Sequence, residues 1–431
     1  MKTTPAPNEG FPLGVGSRAA IANHPDDLVP RVEYRRVGGM RPARPDFSLV
    51  LGGPLFQLYR RAHLSGDALE LLHLRILVIT LFAWLPLLVL SVLDGHAIGA
   101  AIKIPFLHDI EANVRFLVAL PALILAEVVV HARISPLVGR FVERRIVVTE
   151  DLRAFDAALK SALRGRDSVA VEGTLLVLVY TVGLWIWRSQ VALGEPTWYA
   201  MPESKQLHLT LAGYWYAFVS IPMFQFILLR WYLRLGLWFR LLWQISSLNL
   251  HLNASHPDRA GGIGFLGKGS YAFGPILFAQ GTMLAALIAS RVLYEGQNLL
   301  SFKMEAVGFV AFFVLVILGP LVMFTPLLVR TQEQGSAEYG QLASRYVFAF
   351  EDKWMRTADP ETRDLLGTAD IQSLADMSNV YSNVHEMRIV PFGLDDITRL
   401  AATTAAPLLP LLLTTFSVPE LVKLLVKILF K

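Results

Sequence analysis

Six long apolar stretches constrain the fold of this chain more than any other feature of its sequence. Each has at least 17 mostly apolar residues, and they cover residues 76–93, 116–132, 169–187, 209–229, 273–293 and 306–329. Roughly 20 helical residues cross a hydrocarbon core of about 30 Å. Hydrophobic residues make up 54% of the chain and charged residues 17%, which is more apolar than a water-soluble core requires. We therefore predict an all-α polytopic membrane protein with six transmembrane helices at 76–330.

A seventh apolar stretch, residues 400–416, is shorter and contains Pro407 and Pro410. Proline interrupts helical hydrogen bonding, so this stretch is predicted either to cross the membrane or to re-enter it as a hairpin. The leucines and lysines after Ser417 predict a final amphipathic helix. Its lysines favour the cytoplasmic side, which a re-entrant hairpin at 400–431 would preserve and a crossing would not.

The distribution of basic residues orients the chain. The loops 94–114, 189–207 and 295–304 each contain one lysine and no arginine, whereas residues 133–166 contain eight Lys or Arg. The positive-inside bias predicts that the N-terminus and the basic loop are cytoplasmic. No cleavable signal precedes the first span, so that span is expected to direct insertion into the membrane.

Three segments outside the spans are predicted to differ in structure. Residues 1–45 are rich in Pro, Gly and Arg and are predicted to form a disordered cytoplasmic tail. Residues 46–75 include an amphipathic stretch typical of an interfacial helix. Residues 331–399 contain six Lys or Arg against twelve Asp or Glu, and are predicted to be helical. This acidic segment is expected to dock on basic loops or on a cytoplasmic protein partner.

Composition and motifs exclude several classes of function. The net charge is +4, but the cations fall where membrane topology requires them, so nucleic acid is not an expected partner. The chain has no cysteine, which excludes disulfides and thiolate chemistry. No H-E-x-x-H or G-x-S-x-G motif occurs, and we expect neither an enzyme nor a cofactor.

Ionisable residues inside the apolar stretches are the main candidates for a functional site, because each costs about 2.5–3.5 kcal/mol to insert. Glu127 and His131 lie four residues apart on one helical face, and such a pair could relay protons along an ion path. The alternative is that Glu127 is a fixed partner of an arginine such as Arg230. Glu172 is expected to belong to the same cluster.

A second polar group is predicted at the outer end of the second span. His108, Asp109 and Glu111 are weak candidates for a metal site, although their spacing is not that of a dedicated one. The simpler interpretation makes Asp109 the N-cap of this span. Arg115 is expected to pair with Glu111 or to lie at the outer mouth of an ion path.

The stretch "HPDRAGGIGFLGKGS", residues 256–270, contains G-x-x-x-x-G-K but lacks the Ser or Thr that follows the lysine in a phosphate-binding loop. It also follows a helix rather than a buried strand, so we do not expect nucleotide binding. The glycines instead predict a cytoplasmic hinge between the fourth and fifth spans. The candidate hinge residues are His256, Asp258, Arg259, Gly261, Gly262 and Gly264.

The runs "LLGTADIQSLADM" (365–377), "EMRIVPFG" (386–393) and "PLLPLLLTTF" (407–416) resemble an uncharacterised family of bacterial polytopic inner-membrane proteins. The resemblance covers roughly residues 45–431. It implies an inner-membrane location and assigns no activity. The buried ionisable residues favour a homo-oligomeric channel or carrier for a small ion. The alternative is a non-transporting scaffold or sensor that recruits a cytoplasmic partner through residues 331–399.

Overall fold

The computed structural model describes residues 47–61, 71–99, 102, 104–191, 197–203, 206–356 and 369–414. The predicted disordered tail, residues 1–45, and the predicted amphipathic helix after Ser417 lie outside these ranges. The helices described, in chain order, are α1 (Pro54–Arg61), α2 (Leu72–Leu93), α3 (Ile110–Glu143), α4 (Leu152–Arg166), α5 (Val169–Ser189), α6 (Leu211–Ser246), α7 (Phe265–Tyr294), α8 (Lys303–Leu318), α9 (Thr325–Trp354), α10 (Asp370–His385) and α11 (Leu394–Ala405).

Six helical stretches in the described ranges are long and apolar enough to cross a membrane. Five are α2, α3, α5, α6 and α7, and the sixth is Leu299–Trp354, in which the 3-10 turn Gly319–Phe324 joins α8 to α9. The predicted multi-pass α-helical class is therefore confirmed. Helix α9 runs without interruption through residue 330, the predicted end of the transmembrane domain.

Two spans are much longer than their apolar stretches. The third helix has 34 residues and α6 has 36, and both extend beyond the hydrophobic window on the basic side. Here α4 packs along α6, with Gly165 against Leu237 and Arg240 Nη2 donating to Ser161 Oγ at 3.3 Å. Hydropathy indicates which part of a helix lies within the hydrocarbon core. The full length of the helix also depends on packing against other helices outside the membrane.

Spans two, three and four each contain one π-helical turn, at Arg115–Ala119, Val179–Gly183 and Tyr216–Ser220. A π turn shifts the hydrogen-bond ladder by one residue and leaves a carbonyl group available for another donor. The carbonyl of Phe218 accepts from the hydroxyl of Tyr180 at 3.0 Å, which joins two of these turns.

One small sheet interrupts the helical fold. Strand β1 (Ala200–Glu203) pairs antiparallel with β2 (Gln206–Leu209) in the loop before α6. Thr210 then caps α6 by accepting from the N–H of Gly213 at 2.9 Å. Any side chain at Gly213 would collide with the carbonyl of Tyr199, so this glycine allows the loop to lie on the helix.

The seventh apolar stretch forms α11 and a 3-10 helix, Ala406–Thr414, which together lie along α7. A Cβ at Gly281 would collide with the carbonyl of Thr404, so the two segments approach closely there. Further along, Leu411 packs with Ile288 and Ala289. The contacts therefore advance along α7. With 12 residues, α11 is too short to count among the six spanning helices.

Part of the segment before α2 is buried inside the fold. Phe47, Leu49 and Val50 are buried in the main hydrophobic core together with residues of α3, α4 and α6. We call residues 47–57 the inserted segment. A short apolar run can be buried at small cost when neighbouring helices leave a matching space, and hydropathy alone does not reveal such a space.

Candidate functional site

A buried carboxylate on α3 is surrounded by three guanidinium groups. Glu127 Oε1 lies 3.0 Å from Arg234 Nη1 and 3.6 Å from Arg230 Nη1, and its Oε2 lies 3.1 Å from Arg75 Nη2. All four residues are buried, with Arg75 completely inaccessible. The prediction that Glu127 pairs with Arg230 is confirmed.

Glu172 extends this group to a fourth helix, as predicted. Its Oε1 accepts from Arg230 Nε at 2.9 Å, and its Oε2 accepts from the backbone N–H of Leu55 at 3.0 Å. We call the five residues Arg75, Glu127, Glu172, Arg230 and Arg234 the ionic cluster. It joins α2, α3, α5 and α6, which are four of the six spanning helices.

The surroundings of the ionic cluster are apolar and nearly closed. The cavity beside Glu127 has a volume of about 10 Å³ and is lined by Leu123, Ile124 and Ile227 in addition to charged residues. This volume is at the lower limit of about 10–15 Å³ for one water molecule. Charges in such a space interact strongly with one another, because little water screens them.

Helical spacing on α6 brings two of the arginines together. Arg230 and Arg234 are four residues apart and so lie on one face. Between them, Trp231 donates from Nε1 to the carbonyl of Leu123 at 2.9 Å, which fixes α6 against α3. The guanidinium carbon of Arg234 lies 4.7 Å from the centroid of the Trp231 ring, so the indole also contributes a cation–π contact.

The inserted segment contacts the ionic cluster directly. Besides Leu55, the carbonyl of Gly52 accepts from Arg230 Nη2 at 3.4 Å, and Arg166 donates to the carbonyl of Ser48. Gly53 adopts a φ of +85°, and a Cβ there would lie 3.1 Å from Glu172 Oε1. This left-handed conformation and the close approach both favour glycine.

His131 lies on the same helix as Glu127 but has a different partner. A hydrogen bond of 2.9 Å joins its Nδ1 to Ser48 Oγ of the inserted segment. The carboxylate of Glu127 instead contacts the arginines. The predicted relay between Glu127 and His131 is thus not a direct contact, and any coupling between them has to involve the inserted segment or a change of rotamer.

The polar group at the outer end of α3 forms a cap. Asp109 Oδ1 accepts from the N–H of Ala112 at 2.9 Å, and its Oδ2 accepts from Trp198 Nε1 at 2.8 Å. The predicted N-cap is confirmed. Within the described ranges, no group of three or more His, Asp or Glu is placed to hold a metal ion. His108 is exposed, and its carbonyl accepts from the hydroxyl of Tyr294.

Arg115 links α3 to α6 at this end. Its Nη1 donates to Tyr216 Oη at 2.6 Å and its Nη2 lies 4.0 Å from Glu111 Oε2, so the predicted pairing with Glu111 is a long contact. Beside it is a cavity of about 130 Å³, lined by polar groups that include Asp109, Glu111 and Tyr294. Arg291 lies over the Phe302 ring, and Glu295 accepts from Gln297.

The loop between α6 and α7 is built around one carboxylate. Asp258 accepts from the N–H groups of Ala260, Gly262 and Gly264 at 2.9, 3.0 and 2.9 Å. His256 Nδ1 lies 2.9 Å from Asp258 Oδ1. Partial burial opposes ionisation of Asp258, but the three N–H donors and His256 outweigh it and hold its pKa below the usual value.

The same loop is fixed to the segment before α11. Arg259, at a φ of +52°, forms an ion pair of 2.9 Å with Glu386, and its carbonyl accepts from the N–H of Arg388 at 2.7 Å. Gly261 and Gly262 have φ values of +64° and +96°, whereas Gly264 does not need a positive φ. The predicted hinge is therefore an ordered turn with partners on both sides.

Two members of the ionic cluster escaped the sequence analysis. Arg75 lies one residue before the predicted first span, and Arg234 lies five residues after the predicted end of the fourth. The four-residue spacing of Arg230 and Arg234 was the available signal for the second. For Arg75 no local signal exists, because its partner Glu127 is 52 residues away.

No known protein family matches this chain, and no curated protein or solved structure is similar to it. Its class therefore follows from the fold and the site alone. The chain is a multi-pass α-helical membrane protein, and its described spans enclose a buried ionic cluster.

Proposed function

We propose that this protein is a homo-oligomeric channel or carrier for a small ion in the bacterial inner membrane, with its N-terminus in the cytoplasm. The observation that carries the proposal is the ionic cluster. A buried ion pair seldom adds stability over a well-packed apolar replacement, so five charged residues inside a membrane domain favour a functional role. The role proposed is physical movement of an ion, with no chemical step and no cofactor.

Two polar cavities along the same helix pair support an ion path. The outer one, of about 130 Å³, is lined by Asp109 of the α3 cap and Tyr216 of α6. The inner one, of about 10 Å³, is lined by Glu127 of α3 and Arg234 of α6. Buried apolar side chains of α3 and α6, including Leu120 and Ile221, lie between them in sequence. This arrangement fits a closed state in which apolar side chains separate the outer polar cavity from the ionic cluster.

The test is ion flux into liposomes containing purified protein, with proton, potassium and chloride gradients applied in turn. We expect Glu127→Gln to reduce the flux and Glu127→Asp to restore part of it. The matched control is Glu333→Gln, the same substitution at an exposed residue outside the predicted spans. Unchanged flux in both Glu127→Gln and His131→Ala would contradict the proposed site. Absence of flux with the unmodified protein would contradict the proposed transport function.

A second candidate function, a scaffold or sensor, is favoured by one further observation. Beyond the membrane domain, α9 and α10 form a long hairpin with exposed apolar side chains, among them Phe348. A protein that recruits a cytoplasmic partner would use such a surface. Two results together would support this second function: the liposomes pass no ion, and a purified partner binds the hairpin with an affinity that Phe348→Ser lowers.

We also propose that residues 394–414 form the seventh crossing. The segment lies along α7, from Thr404 against Gly281 to Leu411 against Ile288. The chain has no cysteine, so a single cysteine added after Lys431 is a clean reporter. A crossing predicts labelling of intact cells by a membrane-impermeant maleimide. Labelling only after lysis would support the re-entrant hairpin instead.

A further inference from the structure

A helical arm extends from the membrane domain on the side predicted to be cytoplasmic. We define the arm as residues 340–355 together with α10. At its base, Tyr339 Oη bonds to Ser255 Oγ at 3.1 Å. Further out, Tyr346 and Trp354 of α9 bond to Asp370 of α10, each at 3.0 Å. The 15 residues from Tyr339 to Trp354 span about 22 Å at 1.5 Å per residue.

The arm carries large apolar side chains that face solvent. Leu342, Phe348 and Met355 are 47%, 59% and 73% exposed. Phe348 and Met355 lie seven residues apart on the side of the helix away from α10. Asp352 lies between them and pairs with Arg356 at 3.2 Å. Burial of such side chains removes apolar surface from water, so this face is suited to contact with another protein surface.

The charge of the arm points to a basic partner. The arm contains two Lys or Arg against four Asp or Glu. The same chain contains a surface of opposite sign, because residues 133–166 have eight Lys or Arg against four Asp or Glu. Opposite potentials favour docking and orient the partners.

That basic surface has an exposed aromatic anchor. Lys160 and Arg164 on α4 are exposed, as is Arg240 on α6, which bonds to Ser161 between them. On the next turn of α6, Trp243 is 59% exposed. We call these four residues the basic platform. Tryptophan and arginine together are the residues that most often dominate binding energy at protein interfaces.

We propose that the arm of one copy of this protein docks on the basic platform of a neighbouring copy. Phe348 and Met355 would cover Trp243, and Asp352 would face Lys160 and Arg164. The contact is head-to-tail, so repetition around an axis normal to the membrane closes a ring.

The test uses disulfide cross-linking in the naturally cysteine-free chain. Two differently tagged forms, Phe348→Cys and Trp243→Cys, are expressed together and oxidised in membranes. We expect a cross-linked species that contains both tags and disappears on reduction. A control pair replaces Trp243→Cys by Ile389→Cys, an exposed residue outside the platform, and is expected to give no such species. Met355→Cys serves as a second arm position if Phe348→Cys folds poorly.

Charge reversal is the decisive part of the experiment. The double change Lys160→Glu and Arg164→Glu should lower the cross-linking yield roughly tenfold, because like charges then face each other. Adding Asp352→Lys to the other form should restore it. A cross-link that is insensitive to these charges, or a monomer in mild detergent with no cross-link, would overturn the proposal. This inference rests on the proposal that the protein is a homo-oligomer. Neither result depends on ion flux, so the inference can fail while transport is confirmed, and the reverse.

Discussion

Two ion pairs in this protein have the same length and very different surroundings. Arg230 Nε lies 2.9 Å from Glu172 Oε1 in the ionic cluster, and Arg259 Nη1 lies 2.9 Å from Glu386 Oε2 at the α6–α7 loop. The first two side chains are 5% and 7% exposed, and the second two are 52% and 53% exposed. Water screens the second pair and not the first, so equal distances correspond to unequal energies.

The carboxylates of the two regions also have different donors. Glu127 depends on three charged guanidinium groups, whereas Asp258 depends mainly on three neutral backbone N–H groups. Removal of Glu127 would leave buried cations facing one another. Removal of Asp258 would leave N–H groups that water can reach. The cluster is therefore expected to tolerate substitution far less than the loop does.

The largest effect is expected for Glu127→Ala. Loss of this carboxylate leaves buried guanidinium groups without their shared counterion, and we expect a loss of about 3–5 kcal/mol in the free energy of unfolding. The measurement is denaturant unfolding in mixed micelles. Glu333→Ala, at an exposed position, should change the same quantity by less than about 0.5 kcal/mol. Equal effects at the two positions would contradict the assignment of Glu127 to a buried network.

A double-mutant cycle on Arg230→Gln and Glu172→Gln should give the next largest value. Residues in one buried network couple by about 0.5–3 kcal/mol, and we expect the upper half of that range because water is excluded. The coupling should hardly change between low and high salt. A coupling near zero would mean that Leu55 and the other arginines already satisfy both residues.

The pH dependence of the loop should be smaller and should disappear in Asp258→Asn. The pKa of Asp258 is lowered in the folded protein, so its ionised form stabilises the fold above the ordinary carboxyl value of about 3.9. That contribution is lost as the pH falls through the lowered pKa. We expect the difference in Tm between the wild type and Asp258→Asn to shrink on acidification below about pH 5. A difference that grows with acidification would contradict this sign.

The smallest effect is expected for the exposed pair. A double-mutant cycle on Arg259→Gln and Glu386→Gln should give at most about 0.5 kcal/mol. Salt at about 1 M, where the Debye length is roughly 3 Å, should remove it. The same salt should leave the Arg230–Glu172 coupling in place. A salt-resistant exposed pair would show that burial is not what separates the two regions.

Hydropathy was sufficient to predict the six spans, because each helix that crosses the membrane needs a continuous run of about 20 mostly apolar residues. The N-cap at Asp109 and the pairing of Glu127 with Arg230 were also predictable from residue type and position. Three contacts of the site were not. Arg75, Arg234 and the inserted segment acquire their burial from partners between 52 and 178 residues away, and no local pattern encodes such partners.

In the α6–α7 loop, the sequence predicted the position of the turn but not its conformation. Its glycines predict conformational freedom, and the structure uses that freedom for a single ordered turn around Asp258. Glycine residues allow many backbone conformations, and contacts with neighbouring segments determine which of them the loop adopts. Here the decisive neighbours are Glu386 and Arg388, which follow the loop by more than 120 residues.

The position of Arg75 has a consequence for biosynthesis. It lies in the first span to leave the ribosome, and its carboxylate partner on α3 is synthesised 52 residues later. At about 5–20 residues per second, the interval is roughly 3–10 s. The last residues of the cluster, Arg230 and Arg234, follow only with the fourth span. We therefore expect the first span to stay beside the insertion machinery until the later spans arrive, so that the four helices enter the lipid as a group.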